Sequence, residues 1–493
     1  EDFKLQSTLP TGKRVLAELP ELQPGEAFQK RVDPGKVQVL LDPGVSLERG
    51  RPAPEPRCRV RAVDGSAVPG KVRYMHDTLE SKARYVNQRI LHLAARLQEK
   101  GIECDRPVSR IANEPEVVVG RVCCESEGRL NEASILLEGS VQDSRGGRIR
   151  VDTSHLPKVS LFPGQTVAFE GVNPSGYCMV ACAMADGVPG ALPRSEPAEL
   201  AEVVSRTGTA AVEMVVACGP FTTSEDLSYK PMEVLLQKLQ EAPPDVLVLS
   251  GPFVDREHPL IKKGLIDATF HELFLEKPCA LIEEYCKAAG PGAQVVLLPS
   301  IRDAHHDPVH PQPAFEPRLF QEHADQVTCI GSPGLFRCNE LLVGGSSHDI
   351  VKHLSATELH RAAPGSDRLL SLAGHPIRQG SFYPLYPPAL GACLDTTLAQ
   401  KYGALGLEVT PDLLILPSDL TPFAKKVPAA PHVVSKDGHS GCLEALKAES
   451  PGHAICLNPG RLARGATGGT YARLRIAPCA VPAGAAAAQP HDL

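Results

Sequence analysis

No apolar run in the 493-residue chain reaches the roughly 18 residues that a membrane-crossing helix needs. The opening residues, EDFKLQSTLP, lack the basic and then apolar layout of a secretory signal. No CxxC pair occurs, which argues against a zinc ribbon built from this chain. The 15 cysteines are scattered, with Cys123 beside Cys124 and Cys178 four residues from Cys182. Without an export signal they read as reduced, buried, small hydrophobes. Positive charge is not in excess either: 51 Lys and Arg against 58 Asp and Glu leave a net −7. That balance argues against holding nucleic acid mainly by the chain's own charge, and fits a protein whose partners are other proteins.

What is present is ample apolar material, 42% of residues, and a length that suggests about two to four domains. Residues 1–70 carry nine prolines and seven glycines with little periodicity, and read as a mostly disordered leader that includes a short docking-like stretch, GKRVLAEL (12–19). Residues 71–105 hold an amphipathic helix. Leu79, Ala83, Val86, Ile90, Leu93 and Leu97 form its stripe and Gly101 is its stop. From 106 to 186 the period changes to short strands: EVVVGRVCC, ASILLEGS, GRIRVD, QTVAFEGV and YCMVACAM, separated by turns such as SRGG, FPG and NPSG. Five strands in this span predict a small barrel, an OB-fold. A linker is expected at 187–208, and a layered α/β domain at 209–478. The α/β domain is marked by the continuous apolar runs EMVVACG, DVLVLSG, AQVVLLPS, NELLVGG, DLLILPS and HAICLNPG. Residues 479–493 form a low-complexity tail with no closing apolar strand.

The stretch PSIRDAHHDPVHPQP (299–313) crowds Asp303, His305, His306, Asp307 and His310 together, the side chains from which metal sites are built. In layered α/β domains ligands bind at the strands' carboxyl ends. The calcineurin-like metallophosphoesterases carry DxH, GDxxD, GNH[DE] and GHxH there, and hold two metals about 3.5–4 Å apart through a bridging carboxylate. The turns of this chain are similar in place but not in chemistry. Gly219 and Phe221 stand where Asp and His belong, and Pro252 replaces the bridging aspartate. Ser300, Ile301 and Arg302 replace Asn-His. Asn458, Pro459, Gly460 and Arg461 replace the Gly-His-x-His series. A proline has no side-chain donor, and a guanidinium repels a dication. The histidine-rich stretch therefore reads as structural, stiffened by Pro308, Pro311 and Pro313. AGHPI (373–377) is a second decoy, with no ligand two residues on.

VACGPFTTS (216–224), PSIRDAHHDPVHPQPAF (299–315), SFYPLYPP (381–388), TPDLLILPSDL (410–420) and NPGRLARGATGGTYARL (458–474) closely resemble the B-subunit family of DNA polymerase alpha. The barrel segments LLEGS and SLFPGQTVAFEGVN resemble it too, so the likeness runs over about residues 70–475. The resemblance implies an α+β multidomain protein, an OB-fold β-barrel lodged against an inactive calcineurin-like phosphoesterase domain. It implies a non-catalytic, nuclear subunit without cofactor that holds the zinc-containing C-terminal domain of the catalytic subunit. Two primase subunits share that complex, which makes RNA–DNA primers and meets nucleic acid as a whole. Tyr383 and Tyr386 in SFYPLYPP are candidates for a partner surface. The chain departs from the family at three places: the N-terminal helical domain is missing or reduced to the leader, residues 432–453 are longer, and the tail lacks its strand.

Two other readings compete. One is an active phosphodiesterase with rearranged ligands, Asp255, Asp303, His305 and His306. The other is a single-strand-binding barrel. Against the latter, residues 106–186 hold eight basic and ten acidic side chains, a net of −2, and only Phe162, Phe169 and Tyr177 as aromatics.

Overall fold

The computed structural model describes residues 25–478, apart from 43, 45–46, 49, 51–54, 64–67, 71, 126–127, 209, 321 and 449–451. The stretch 12–19 and the tail 479–493 lie outside the described residues.

All five strands expected between 106 and 186 form, as Ala112–Cys124, Ile135–Glu138, Arg148–Asp152, Thr166–Asn173 and Cys178–Ala185. Each pairs with two others, and the ring closes between Thr166–Asn173 and Cys178–Ala185. The third and fifth strands run parallel and the other pairs antiparallel. This is the order of an OB-fold. Pleat alternation explains the valine run: Val118 and Val122 point into the barrel, while Val117 and Val119 point out. Those two outer valines are buried as well, against Ile90, Leu93 and Leu97 of the helix Leu79–Glu99.

That helix starts at a Thr78–Ser81 capping box and ends at Gly101, which takes the left-handed φ of +78°. Its buried stripe is Tyr85, Val86, Ile90, Leu93 and Leu97. Leu79 is 88% exposed and Ala83 is exposed too, so the buried stripe begins only at Tyr85. Tyr85 and Val86 pack into the α/β domain and the rest of the stripe against the barrel, so one helix fills the seam between them.

The α/β region consists of two sheets laid face to face. One runs in the order 327–329, 294–298, 246–250, 212–218, 472–476, its first four strands parallel. The other runs 60–62, 334–338, 341–345, 413–415, 453–458, 423–428. Val212, Met214, Val216, Val248 and Leu298 of the first meet Phe336, Val343, Leu413 and Ile415 of the second. The alternate residues, such as Val215, Leu247 and Leu297, face the helices Lys230–Gln240 and Ala280–Ala289. The second sheet is covered by Ile350–Thr357 and Arg368–Arg378. Strands buried on both faces must be apolar throughout, as the sequence runs are.

One expectation needs correcting, and two segments gain detail. The leader is not disordered throughout: Val60–Ala62 pairs antiparallel with Gly334–Cys338, and Arg57 and Cys58 are buried. An open sheet edge captures a three-residue strand too short to show periodicity. The linker 187–208, read as holding at most a short helix, carries the 11-residue helix Pro197–Thr207. Within the longer 432–453 segment, Val433–Ser435 adds a strand to the barrel beside Ala183–Ala185, and Leu443 and Leu446 are buried.

The barrel and α/β domain meet through polar groups as well. Asp186, at the end of the last barrel strand, pairs with Arg378 at 2.8 Å, and both are buried. The amide of Gln379 accepts from Thr166 N at 2.8 Å and donates to the carbonyls of Thr166 and Asp186, each at 2.8 Å. Gly187, at φ +127°, lets the chain pass Arg378, since a Cβ there would sit 2.2 Å from the Arg378 carbonyl oxygen. Farther along, Val159–Leu161 of the barrel pairs with Leu359–Arg361. Ser160, Glu358 and His375 cluster there; Ser160 Oγ lies 2.9 Å from His375 Nε2. The set has the composition of a hydrolytic triad, but serine and carboxylate both contact the same ring nitrogen, and His375 and Glu358 are fully buried. The decoy histidine of AGHPI is thus an interdomain contact.

Burial pushes the Asp186 carboxyl up, but Arg378 and His432 outweigh it and hold the group far below its ordinary value. A carboxyl depressed on folding contributes stability above its unfolded value of about 3.9, and that contribution is lost as pH falls below it. Arg378→Met should cost about 3–5 kcal/mol in urea unfolding near neutral pH, since it strands a buried charge. The cost should shrink as pH falls from about 5 toward 3. A loss below about 1 kcal/mol would show that other contacts hold the junction.

Candidate functional site

Every parallel strand of the first sheet ends at the same edge of the two-sheet stack, and so do the strands ending at 345, 415 and 458. The turns that follow are where a ligand site is expected. The first two begin with cis Gly219–Pro220 and Gly251–Pro252. Gly219 N donates to Ser250 O at 2.8 Å, binding one turn to the next. Phe221 is fully buried and stacked on Phe253, ring centroids 5.0 Å apart. It is therefore a core residue where a ligand would need a donor.

Asp303 is the centre of these turns. It is buried and accepts from Phe253 N, from Val254 N at 3.0 Å, and from Ser300 N at 2.8 Å. Gly251 has no room for a side chain, because a Cβ would lie 2.4 Å from Asp303 Oδ2. Burial raises the Asp303 carboxyl to about 7, against the pull of the three amides. Asp255 is clasped by the Arg302 guanidinium, with Nε at 3.0 Å from Oδ1 and Nη2 on Oδ2. Ile301 is buried beside it.

The second sheet repeats the pattern, joining Asn458, Gly460 and Arg461 to Ser332, Ser347, Asp349, Lys352 and Asp419, which were not singled out from the sequence. Asp349 caps the helix Ile350–Thr357 and accepts from Asp419 N at 2.7 Å. Asp419 accepts from Lys352 Nζ at 2.7 Å and Arg461 Nε at 3.0 Å. Burial pushes Asp419 up, but these cations win and bring it down to about 2. Ser332 and Ser347 join their hydroxyls at 2.8 Å. Asn458 Oδ1 accepts from Ser418 N and Gly460 N, each at 2.9 Å, and Gly460 takes φ +72°. A signal for these was available, since GGSSHD and LPSD also follow continuous apolar strands with a small turn.

His305 and His306 share the Phe315 ring, and His310 lies elsewhere. His305 lies between Phe274 at 3.9 Å and Phe315 at 5.5 Å, and burial lowers it to about 3. His306 reaches Pro313 O at 2.9 Å. Asp307 Oδ1 lies 3.5 Å from the Tyr74 hydroxyl. His310 is fully buried and packs on His348, centroids 4.0 Å apart, with burial pushing it far down. Among the described residues, no three His, Cys, Asp or Glu converge in a way that could hold a metal ion. The donor set does not fit a dinuclear centre, since Pro252 offers nothing to bridge with and Arg302 occupies Asp255.

The tyrosines correct another expectation. Tyr383 is fully buried, its hydroxyl 3.0 Å from His353 Nδ1 and accepting from Ala389 N at 3.1 Å. It is core, not partner surface, because the proline-stiffened wall turns its apolar side inward. Tyr386 is half-buried at the junction, under Arg121 at 5.6 Å, with its N donating to Pro163 O of the barrel's FPG turn.

A family model describing the B subunits of DNA polymerases alpha and epsilon matches residues 214–425. One describing the OB domain of the DNA polymerase alpha B subunit matches 84–187. The chain is 32% identical to the DNA polymerase alpha B subunit of Mus musculus over 460 residues, 93% of this chain and 71% of that protein. It is 35% identical to that of Rattus norvegicus over 79% of this chain and 59% of that protein. For Schizosaccharomyces pombe the identity is 32%, over 90% and 75%.

Asp303 yields a pH test. Its carboxyl is raised on folding, so its contribution to stability is full below the unfolded value of about 3.9 and is lost as pH rises through about 7. Asp303→Asn removes the titration and turns an amide NH2 toward a backbone N–H. The stability gap between wild type and variant in urea should be larger near pH 4.5 than near pH 8. A pH-independent gap would contradict the assignment.

Proposed function

The chain belongs to the B-subunit family of DNA polymerase alpha, and from that membership we propose that it is a non-catalytic accessory subunit of the polymerase alpha–primase complex in the nucleus. It binds the C-terminal domain of the catalytic subunit, keeps company with the two primase subunits, and supports RNA–DNA primer synthesis. The α/β domain, two sheets between helical layers with turns at the strands' carboxyl ends, supports descent from a calcineurin-like phosphoesterase. The observation that carries the reading is the fate of the turn carboxylates. Asp255 is taken by Arg302, Asp419 by Arg461 and Lys352, and Asp303 by three backbone amides. Groups that would have held metal hold the protein together, and what such a domain offers is surface.

The other readings draw less support. A phosphodiesterase using Asp255, Asp303, His305 and His306 would need Asp255 freed from its guanidinium and His305 lifted from between two phenylalanines. For a single-strand-binding barrel, Phe162 and Phe169 are fully buried, leaving Tyr177, 82% exposed, as the one aromatic of the span on its surface. One stacked base is worth about 1–3 kcal/mol, far short of the roughly 8 kcal/mol of micromolar binding.

Mixed with the isolated C-terminal domain of a polymerase alpha catalytic subunit, the chain should co-elute as a 1:1 complex in gel filtration at about micromolar concentration. Separate elution of two folded partners would sink the proposal. The purified chain should also carry no stoichiometric manganese, iron or zinc by elemental analysis and leave bis-nitrophenyl phosphate intact. Two metals per chain, with cleavage abolished in His305→Ala, would favour the phosphodiesterase.

A further inference from the structure

A cleft of about 200 Å³ opens where the helix Leu79–Glu99 crosses the seam between the domains. Arg89, His92 and Arg96 line it from one face of that helix, at spacings of three and four. The opposite wall is formed by the 403–408 turn and the end of the helix Arg368–Arg378.

The cations here are not equally compensated. Arg378 has Asp186. Arg96 has Glu408 at 3.4 Å, a side chain 74% exposed; His92 lies 3.8 Å from that carboxylate, but burial and Arg96 push its imidazole below its ordinary value, so it adds no permanent charge. Arg89 has no carboxylate partner within ion-pair distance among the described residues. Its guanidinium donates to Pro384 O at 2.9 Å and Gln379 Oε1 at 3.3 Å. Both acceptors are neutral, so they orient the guanidinium without cancelling its charge. Two of its five N–H donors are engaged in this way, which leaves the rest of a fixed fork available to a planar or tetrahedral oxyanion. Burial pushes Arg89 down from its ordinary value, and the nearby Arg121 charge adds to this.

The volume points to the kind of occupant. Pockets that enclose a whole small molecule run to about 300–1,000 Å³. A smaller, rigid, positive cleft suits one charged side chain presented by something larger. A nucleic-acid strand is disfavoured by the surrounding field of a chain with net charge −7.

We propose that this cleft receives an acidic side chain from a segment of a partner protein, a Glu or Asp carboxylate or a phosphorylated hydroxyl, gripped by Arg89 with Arg96 beside it. The site lies away from the strand-end turns and does not depend on the assembly reading above.

The test uses the full chain and isothermal titration at low salt, about 0.05 M, where screening is weak. The probes are a short peptide with a central glutamate cluster, the same peptide with one phosphoserine, its glutamine analogue, and a 12-mer of single-stranded DNA. At least one acidic peptide should bind with a Kd of about 1 mM or tighter, and the glutamine analogue should not bind. Which of the two acidic peptides binds more tightly tells a carboxylate source from a phosphate source. Arg89→Gln should weaken binding at least tenfold. Arg84→Gln, on the same helix but paired with Glu80 outside the cleft, should leave it unchanged. Because Arg89 also ties the helix to Pro384, a second variant guards against misfolding. Gln400→Glu lines the cleft with a competing carboxylate and should weaken the peptide by a similar factor. Unchanged affinity in either cleft variant, loss of affinity in the control, failure of both acidic peptides to bind, binding of the glutamine analogue, or preference for DNA over both peptides would each overturn the proposal.

Discussion

A carboxylate and a guanidinium, Asp186 and Arg378, meet out of water where the barrel ends and the α/β domain begins. A buried pair of this kind adds little net stability relative to apolar residues of the same shape, yet breaking it is costly, so its physical role is to permit one arrangement and penalise the rest. The neighbouring Gln379 amide satisfies both Thr166 and Asp186, which fixes the register of the junction. With that register set, the other contacts follow: Val433–Ser435 extends the barrel, Leu359–Arg361 pairs with Val159–Leu161, and the helix Leu79–Glu99 fills the seam. Barrel and α/β domain are thereby presented to any partner as one surface.

The strand-end turns and the seam treat charge in opposite ways. In the turns, Asp255, Asp419 and Asp303 are answered from within by Arg302, by Arg461 and Lys352, and by backbone N–H groups. Along the seam, Arg89 is held by carbonyl groups that cannot neutralise it. Two permanent cations within one protein thus have different consequences. Arg302 neutralises a turn carboxylate from within, and Arg89 keeps a charge that its neutral acceptors do not cancel.

Legibility followed local pattern. The five barrel strands and the six apolar runs of the α/β region became strands because burial on one or both faces writes itself into two-residue alternation or continuous apolarity. Val60–Ala62, Val327–Cys329 and Val433–Ser435 went unread because three residues carry no period. Tyr383 was misjudged because a tyrosine in a proline-rich stretch looks amphipathic in isolation, and only the packing of His353 and Ala389 around its hydroxyl makes it core.

By itself the sequence determined that four of the turns depart from the metal-ligand series, since Pro252 cannot bridge and Arg302 and Arg461 carry permanent charge, and no arrangement of the backbone changes those side chains. It also determined the barrel, whose alternation is local. Only the tertiary structure decided that the strands divide into two facing sheets, that Asp303 is consumed by amides from two turns, and that His305 and His306 pack on Phe315 while His310 goes to His348. Those outcomes depend on contacts between residues tens or hundreds of positions apart, such as Asp186 with Arg378, and composition and spacing along one chain do not encode which distant partner a group will meet.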